Sequence, residues 1–253
     1  MNPWSMIAPP GKAGRAAGVF FCREAAKAKT VTTRDRPPLP QGKPSVAAAL
    51  DATPRAATLP TVPASWEQLI LVDARDRATG RAEKLRVHQL GLRHRAFSVF
   101  LVDARGRLLL QRRSAVKHHS AGLWANACCG HPRPGERTVA AARRRVREEL
   151  GLDVPVTAGF RTSYRTTLPN GLIENEIVHV LFGVCPAQLA PDPKEVGATA
   201  FLTLDPLRRD IARRPRRYAY WLRHYLREHH AAVRRGAAAA RREAQAEPDT
   251  AAT

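Results

Sequence analysis

The spacing of apolar positions changes along this chain, and each change predicts an element. Up to residue 64 no hydrophobic period persists. Pro9, Pro10, Pro37, Pro38, Pro40 and Pro63 interrupt alanine and lysine runs, which predicts a disordered basic extension over 1–64. Leu69-Ile70-Leu71-Val72 is a short apolar run ending at Asp73 and predicts a buried strand. A second run, residues 96–102, ends in the turn Asp103-Ala104-Arg105-Gly106, and Leu108-Leu109-Leu110 returns from it, which predicts a hairpin. Over 138–150 the period becomes helical, with Val139, Ala142, Val146 and Leu150 on one face and Gly151 as the stop. Strand-like runs follow near 156–160, 173–182 and 199–204, then an amphipathic helix over about 216–233. From Gly236 the alanine run reads as a fraying helix and a flexible tail, giving a boundary at 234–253. Strands, an inserted helix, then strands and helices predict one α+β domain over 65–233, with a sandwich-like sheet flanked by helices.

Composition narrows the partners. Lys and Arg number 42 against 22 Asp and Glu, a net charge of +20. Such an excess suits nucleic acid or a phosphorylated ligand. The basic residues are scattered, however, and aromatics are only 6% of the chain, so no specific nucleic-acid surface is expected. Cys22, Cys128, Cys129 and Cys185 show no zinc-ribbon or redox spacing, which points to a reducing cytoplasm. No apolar run approaches the roughly 20 residues of a membrane span, and Val19-Phe20-Phe21 is too short for a secretory segment.

The candidate chemistry lies between residues 84 and 176. His88 and His94 flank Gly91 and read first as a surface pair. His131, Glu174 and Glu176 change that reading: in an extended segment residues 174 and 176 share a face, so three imidazoles and two carboxylates make a borderline-hard set for zinc, manganese or magnesium. Arg112, Arg113 and Lys117 precede the loop Trp124-Ala125-Asn126-Ala127-Cys128-Cys129-Gly130-His131-Pro132 and offer phosphate contacts. Glu149 and Arg145 are four apart on one helical face. Gly130, Glu136, Arg144 and Glu148-Glu149-Leu150-Gly151-Leu152 fit most of the Nudix loop–helix–loop pattern. Arg144-Arg145 departs from it, because an Arg-Glu pair is usual there.

Taken together, His88, His94-Arg95-Ala96-Phe97-Ser98, Gln111-Arg112-Arg113, Lys117, the Cys129-Gly130-His131-Pro132 loop, Glu148-Glu149-Leu150-Gly151, Tyr164 and Glu174-Asn175-Glu176 make the chain resemble the type 1 isopentenyl-diphosphate delta-isomerases, relatives of the Nudix hydrolases. The resemblance covers roughly residues 66–230 and implies a Nudix-like mixed sheet flanked by helices. It implies Cys129 and Glu176 as the acid/base pair, Tyr164 as the tyrosine assisting the acid, and Trp221 beside the hydrocarbon end. It implies His88, His94, His131, Glu174 and Glu176 as ligands of one divalent metal (Mn2+, Zn2+ or Mg2+). Glu149 would meet a Mg2+ carried on the substrate, and Lys84, Arg113, Lys117 and Arg145 would contact the diphosphate. The implied partner is a small prenyl diphosphate, with no nucleic acid or membrane, in a monomer or weak dimer. Cys128, next to the working cysteine, is expected to face elsewhere as a packed residue. The rival is a Nudix diphosphatase acting on a nucleoside diphosphate derivative.

Overall fold

The structure is a computed structural model. It describes residues 67–246 apart from His118 and Ala187, together with Met6 and Ile7. The expected extension over 1–64 otherwise lies outside the described residues, as does the tail beyond Ala246. In chain order the elements are β1 (Met6–Ile7), β2 (Gln68–Val72), β3 (Ala78–Glu83), α1 (Lys84–Leu90), β4 (His94–Val102), β5 (Leu108–Arg113), β6 (Trp124–Asn126) and β7 (Cys128–Gly130). Then follow α2 (Thr138–Leu150), β8 (Thr157–Thr167), β9 (Ile173–Val184), β10 (Val196–Leu202), α3 (Leu204–Arg213), a 3-10 turn (Pro215–Arg217), α4 (Tyr220–Glu228) and α5 (His230–Ala246).

The strands form one branched, mixed sheet with β4 at its hub. β4 runs antiparallel to β7 and parallel to β9, and β9 pairs antiparallel with β8. The turn at Asp103–Gly106 forms as its sequence predicts, but its two strands meet only at Val102 and Leu108. Beyond that pair β5 leaves to join β10 and β6.

Alternation along β4 explains why its sequence is apolar throughout. Ala96, Phe100 and Val102 pack with Trp221, Leu222 and Tyr225, whereas Phe97, Val99 and Leu101 pack with Ala142, Val146 and Leu150. Both faces are covered, so no polar alternation survives. Cys128 and Cys129 divide the same way: Cys128 is buried in the second cluster, and Cys129 packs against the first.

Two expectations need correction. α2 has the expected limits, but Val139 is exposed and Ala141 is buried, so the packed face starts later and also takes in Glu149. The C-terminal helix is broken into two, and α5 continues to Ala246, where a loose tail was expected beyond residue 233. Packing overrides the weak local signal: Ala240 is buried, and Gly236 lies so close to Phe182 that a Cβ there would come within 2.3 Å of the ring.

Candidate active site

The ligand wall starts from a short helix with two firm ends. The Glu83 carboxylate caps α1, accepting from the Leu85 and Arg86 amides, both at 2.8 Å. At the other end Gly91 takes a left-handed conformation (φ 62°) pressed against Ile173, a position where any side chain would be strained. The chain therefore turns sharply between His88 on α1 and His94 at the start of β4. Both imidazoles are buried, not a surface pair.

Strand register supplies the rest. His94 pairs with Glu176 across the parallel β4–β9 ladder, and β7 ends at Gly130 beside Phe97, so that His131 follows directly into the same region. One ligand atom from each of His88, His94, His131 and Glu176 lies within 4.8 Å of the others. Glu174, two residues back on the same face of β9, stands beside this group, with Oε2 3.3 Å from His88 Nε2. Asn175 points away and donates to Gly91 O at 2.8 Å.

The imidazoles are oriented for a cation. Nδ1 of His88 lies 2.7 Å from Lys84 O, and Nδ1 of His94 lies 2.9 Å from Leu92 O. Each Nδ1–H donates to a carbonyl, which leaves Nε2 as a lone-pair donor. Both Nε2 atoms are buried without a hydrogen-bond partner, as is Glu174 Oε2. The His88 and His94 Nε2 atoms, grouped with His131 and Glu176 and with Glu174 Oε2 beside His88, make a donor set that fits a divalent ion. Burial pushes the His131 imidazole down to about 4, against the pull of Glu176. Burial also works to raise the Glu176 carboxyl, but His131 and His94 beside it win and hold it well below the usual carboxylate range. Glu174 is pushed up, by burial and by the charge of Glu176. His88 goes the other way from His131: burial works to lower its imidazole, but Glu174 beside it outweighs that and raises it, so a metal binding here would displace a proton from the His88–Glu174 pair.

A thiol and a phenol complete the centre. Cys129 pairs with Ser98 across β4–β7, so Cys129 and Glu176 come from the strands on either side of β4. Both line a cavity of about 710 Å³, with Tyr164, Trp221, His88 and His131, while the fully buried His94 lies behind its wall. Burial pushes the Cys129 thiol up to about 12, despite bonds to Ser98 and Asn126 that lower it. The β8–β9 hairpin sets Tyr164 opposite Glu176, and its hydroxyl donates to Glu176 Oε2 at 2.5 Å. Burial and the Glu176 charge raise the Tyr164 phenol well above its ordinary value, so it stays a donor.

The cations gather along the same cavity, which Lys84, Arg113, Lys117 and Arg145 all line. Arg113 is buried, stacks over Trp221 with its guanidinium carbon 5.3 Å from the ring centre, and leaves Nε without a partner. Lys84 pairs with Glu67 at 2.7 Å, and Lys117 pairs with Glu195. Arg145 reaches Glu148, Glu149 and Glu195. Glu149 is set apart from the other expected ligands: it is buried, accepts from Gln111 Nε2 at 2.9 Å and from Arg145, and is not in the cavity wall. Glu148 on α2 and Glu136 in the turn before it are also tied down. Arg144 grips Glu136 through Nε and Nη2, both at 2.8 Å, and bonds Glu148 as well.

Sequence reasoning missed His119, Glu67, Glu195 and Tyr225. His119 lines the cavity, edge-on to Trp221 and 3.8 Å from Glu174 Oε1, and burial pushes its imidazole down to about 3. It lies in an irregular loop where no period exists to place it. The short basic run from Lys117 to His119 is its one signal.

Comparison with known proteins identifies the fold and the family. The family model described as NUDIX domain matches residues 92–224. "Isopentenyl-diphosphate Delta-isomerase 2" of Aromatoleum aromaticum is 46% identical over 156 residues, covering 62% of this chain and 82% of the relative. "Isopentenyl-diphosphate Delta-isomerase" of Streptomyces griseus is 47% identical over 171 residues, covering 66% and 87%. Among solved structures, DR0079 from Deinococcus radiodurans superposes with a TM-score of 0.53 at 25% identity, over 64% of this chain and 98% of that one. With relatives at this identity over most of their length, and a domain match spanning the sheet hub and most of the cavity wall, the chain belongs to the isopentenyl-diphosphate Delta-isomerases of the NUDIX family.

Proposed function

We propose that this chain interconverts isopentenyl diphosphate and dimethylallyl diphosphate by moving one proton onto C4 and another off C2, with Cys129 and Glu176 as the two proton-handling groups. The observation that carries this reading is the placement of a thiol and a tyrosine-bonded carboxylate on strands flanking β4 within one cavity.

The substrate would enter with its diphosphate toward Lys84, Arg113, Lys117 and Arg145. A diphosphate can take over the cations now held by Glu67 and Glu195, and the orphaned Nε of Arg113 offers an unused donor. Its hydrocarbon end would lie against Trp221, whose indole stabilises positive charge by about 2 kcal/mol when water is excluded. That matters because protonating an alkene leaves a tertiary cation that water would quench. The double bond shifts from C3–C4 to C2–C3 as the C2–H bond breaks. One proton is gained and one is lost, and no oxidant is needed. Tyr164 holds its proton against Glu176 and steadies that carboxylate, while Ser98 and Asn126 hold the thiol.

His88, His94, His131 and Glu176, with Glu174 alongside, would hold one divalent cation, and Mn2+, Zn2+ and Mg2+ all suit this donor set. When bound, that cation supplies positive charge that favours ionised Glu176 and rigidifies the wall. Glu149 would reach a Mg2+ brought by the diphosphate once Arg145 swings from it to the phosphate. A reducing cytoplasm, where Cys129 stays a free thiol, is the setting this chemistry needs. Among the described residues no helix is long and apolar enough to cross a membrane.

The test is conversion of isopentenyl diphosphate by Cys129→Ser and by the wild type. We expect the variant to fold and to lose turnover by about a thousandfold or more. Near-normal conversion would overturn the role of the thiol. Release of phosphate from nucleoside diphosphate derivatives, with no isomerisation, would favour the hydrolase reading instead.

A further inference from the structure

Cys129 belongs to a string of four side chains whose donors and acceptors can be counted. Asn126 is fully buried, and its amide nitrogen donates to two backbone carbonyls, Val99 O at 3.0 Å and Cys128 O at 3.1 Å. That fixes the amide: turned over, its oxygen would face two carbonyl oxygens. Asn126 Oδ1 is therefore an acceptor, and it faces the Cys129 sulfur at 3.3 Å. The sulfur also lies 3.2 Å from Ser98 Oγ, which in turn lies 2.8 Å from the hydroxyl of Tyr225. Ser98 and Tyr225 are both buried.

Three hydrogens must fill three gaps. If Tyr225 donates to Ser98, Ser98 to the sulfur and the thiol to Asn126, every hydrogen is used and Asn126 Oδ1 is satisfied. In the reverse order the thiol donates to Ser98 and Ser98 to Tyr225. The Tyr225 hydrogen and Asn126 Oδ1 are then left without partners in a buried region, which is costly.

We infer that Tyr225, Ser98, Cys129 and Asn126 form a hydrogen-bond chain running in that one direction, in which Ser98 is a positioning residue that pins the sulfur and Asn126 takes up its S–H. This rests on the reading of Cys129 as a reacting group. The chain has a consequence for the fold: α4, distant in sequence, reaches the thiol through Tyr225. It also has a consequence for the chemistry. Ser98 can keep donating to the sulfur when the thiol proton departs, and that bond then strengthens because its acceptor is charged. Links in such a chain polarise one another, so removing one weakens the next.

The experiment is infrared measurement of the S–H stretch, with the Cys129 band assigned by its absence from Cys129→Ser, alongside steady-state kinetics of Ser98→Ala and Tyr225→Phe. We expect Ser98→Ala to move the band to higher frequency, as the S–H···O bond to Asn126 weakens. Tyr225→Phe should move it the same way by less. We expect kcat to fall about tenfold in Ser98→Ala, with KM unchanged. A band that stays put in both variants would overturn the chain. A shifted band with unaltered kcat would leave the hydrogen bonds standing and overturn the positioning role, which separates this inference from the assignment of Cys129 itself. Loss of conversion in Cys129→Ser, measured separately, tests that assignment.

Discussion

Glu136, Glu148 and Glu149, on α2 and the turn before it, face guanidinium groups, whereas Glu174 and Glu176 on β9 face imidazoles. Both sets are carboxylate clusters at one cavity or its edge, and both look alike as sequence. Their partners decide what they can do. An arginine is always charged and acceptor-free, so a carboxylate bidentate to it is neutralised and occupied. A histidine can be neutral, and its free nitrogen and the neighbouring carboxylate can then ligate the same ion. Arg145, standing where a Nudix helix usually has a glutamate, pulls Glu148 and Glu149 onto itself. The difference teaches that this chain keeps the Nudix scaffold while the His/Glu cluster that could hold a cation is drawn from α1, β4, β9 and the residue following β7 instead of from α2. The two Glu148 pairs, with Arg144 and Arg145, are partly exposed and worth only a few tenths of a kcal/mol each, so their effect is on occupancy more than stability.

Paired substitutions break or sharpen that contrast. Glu176→Gln should lower kcat by about a thousandfold or more, since it removes a ligand and a proton-handling group together. Glu148→Gln, on the helix, should stay within about threefold of wild type in the same conversion assay. Equal losses in both would erase the distinction. Chelation should come next in size: activity disappears, a divalent ion restores it, and the melting temperature falls by about 5 °C. That fall is the loss of roughly 2.7 kcal/mol from a site saturated a hundredfold above its Kd. Glu148→Gln should show the same chelator-induced drop, and Glu176→Gln a smaller one. Melting curves indifferent to the chelator would remove the imidazole wall from consideration as a metal site. Beyond the near-neutral Glu148→Gln control, Arg145→Gln should give the smallest loss, raising KM about tenfold with kcat changed by less than that, because it withdraws one phosphate contact while the β9 acids stay in place.

Much of the site was legible before the fold was known, for a local reason. Glu174 and Glu176 share a face by strand alternation alone, and Arg145 and Glu149 meet by helical spacing alone. The loop around Cys129 and its order relative to Glu174-Asn175-Glu176 carried the resemblance. What stayed hidden depends on long-range register. Nothing in residues 88–94 says that their histidines are buried; that follows from β9 pairing with β4 and Gly91 pressing on Ile173. The 102–108 turn was readable, but the parting of its strands was not, since β5 is drawn away by β10 and β6. Tyr225 lies inside the predicted helix over 216–233 with no local signal to single it out, and its bond to Ser98 spans 127 residues of chain. Val139 fitted the helical period and is nevertheless exposed, because the surface α2 packs on begins at Ala141.

The central claim is that protons reach and leave one carbon skeleton from two groups in one cavity. Incubating isopentenyl diphosphate with the metal-loaded protein in heavy water tests it most directly. The account predicts dimethylallyl diphosphate carrying deuterium in the methyl group derived from C4, with no phosphate released. Product formed without deuterium, or free phosphate in place of product, would contradict it.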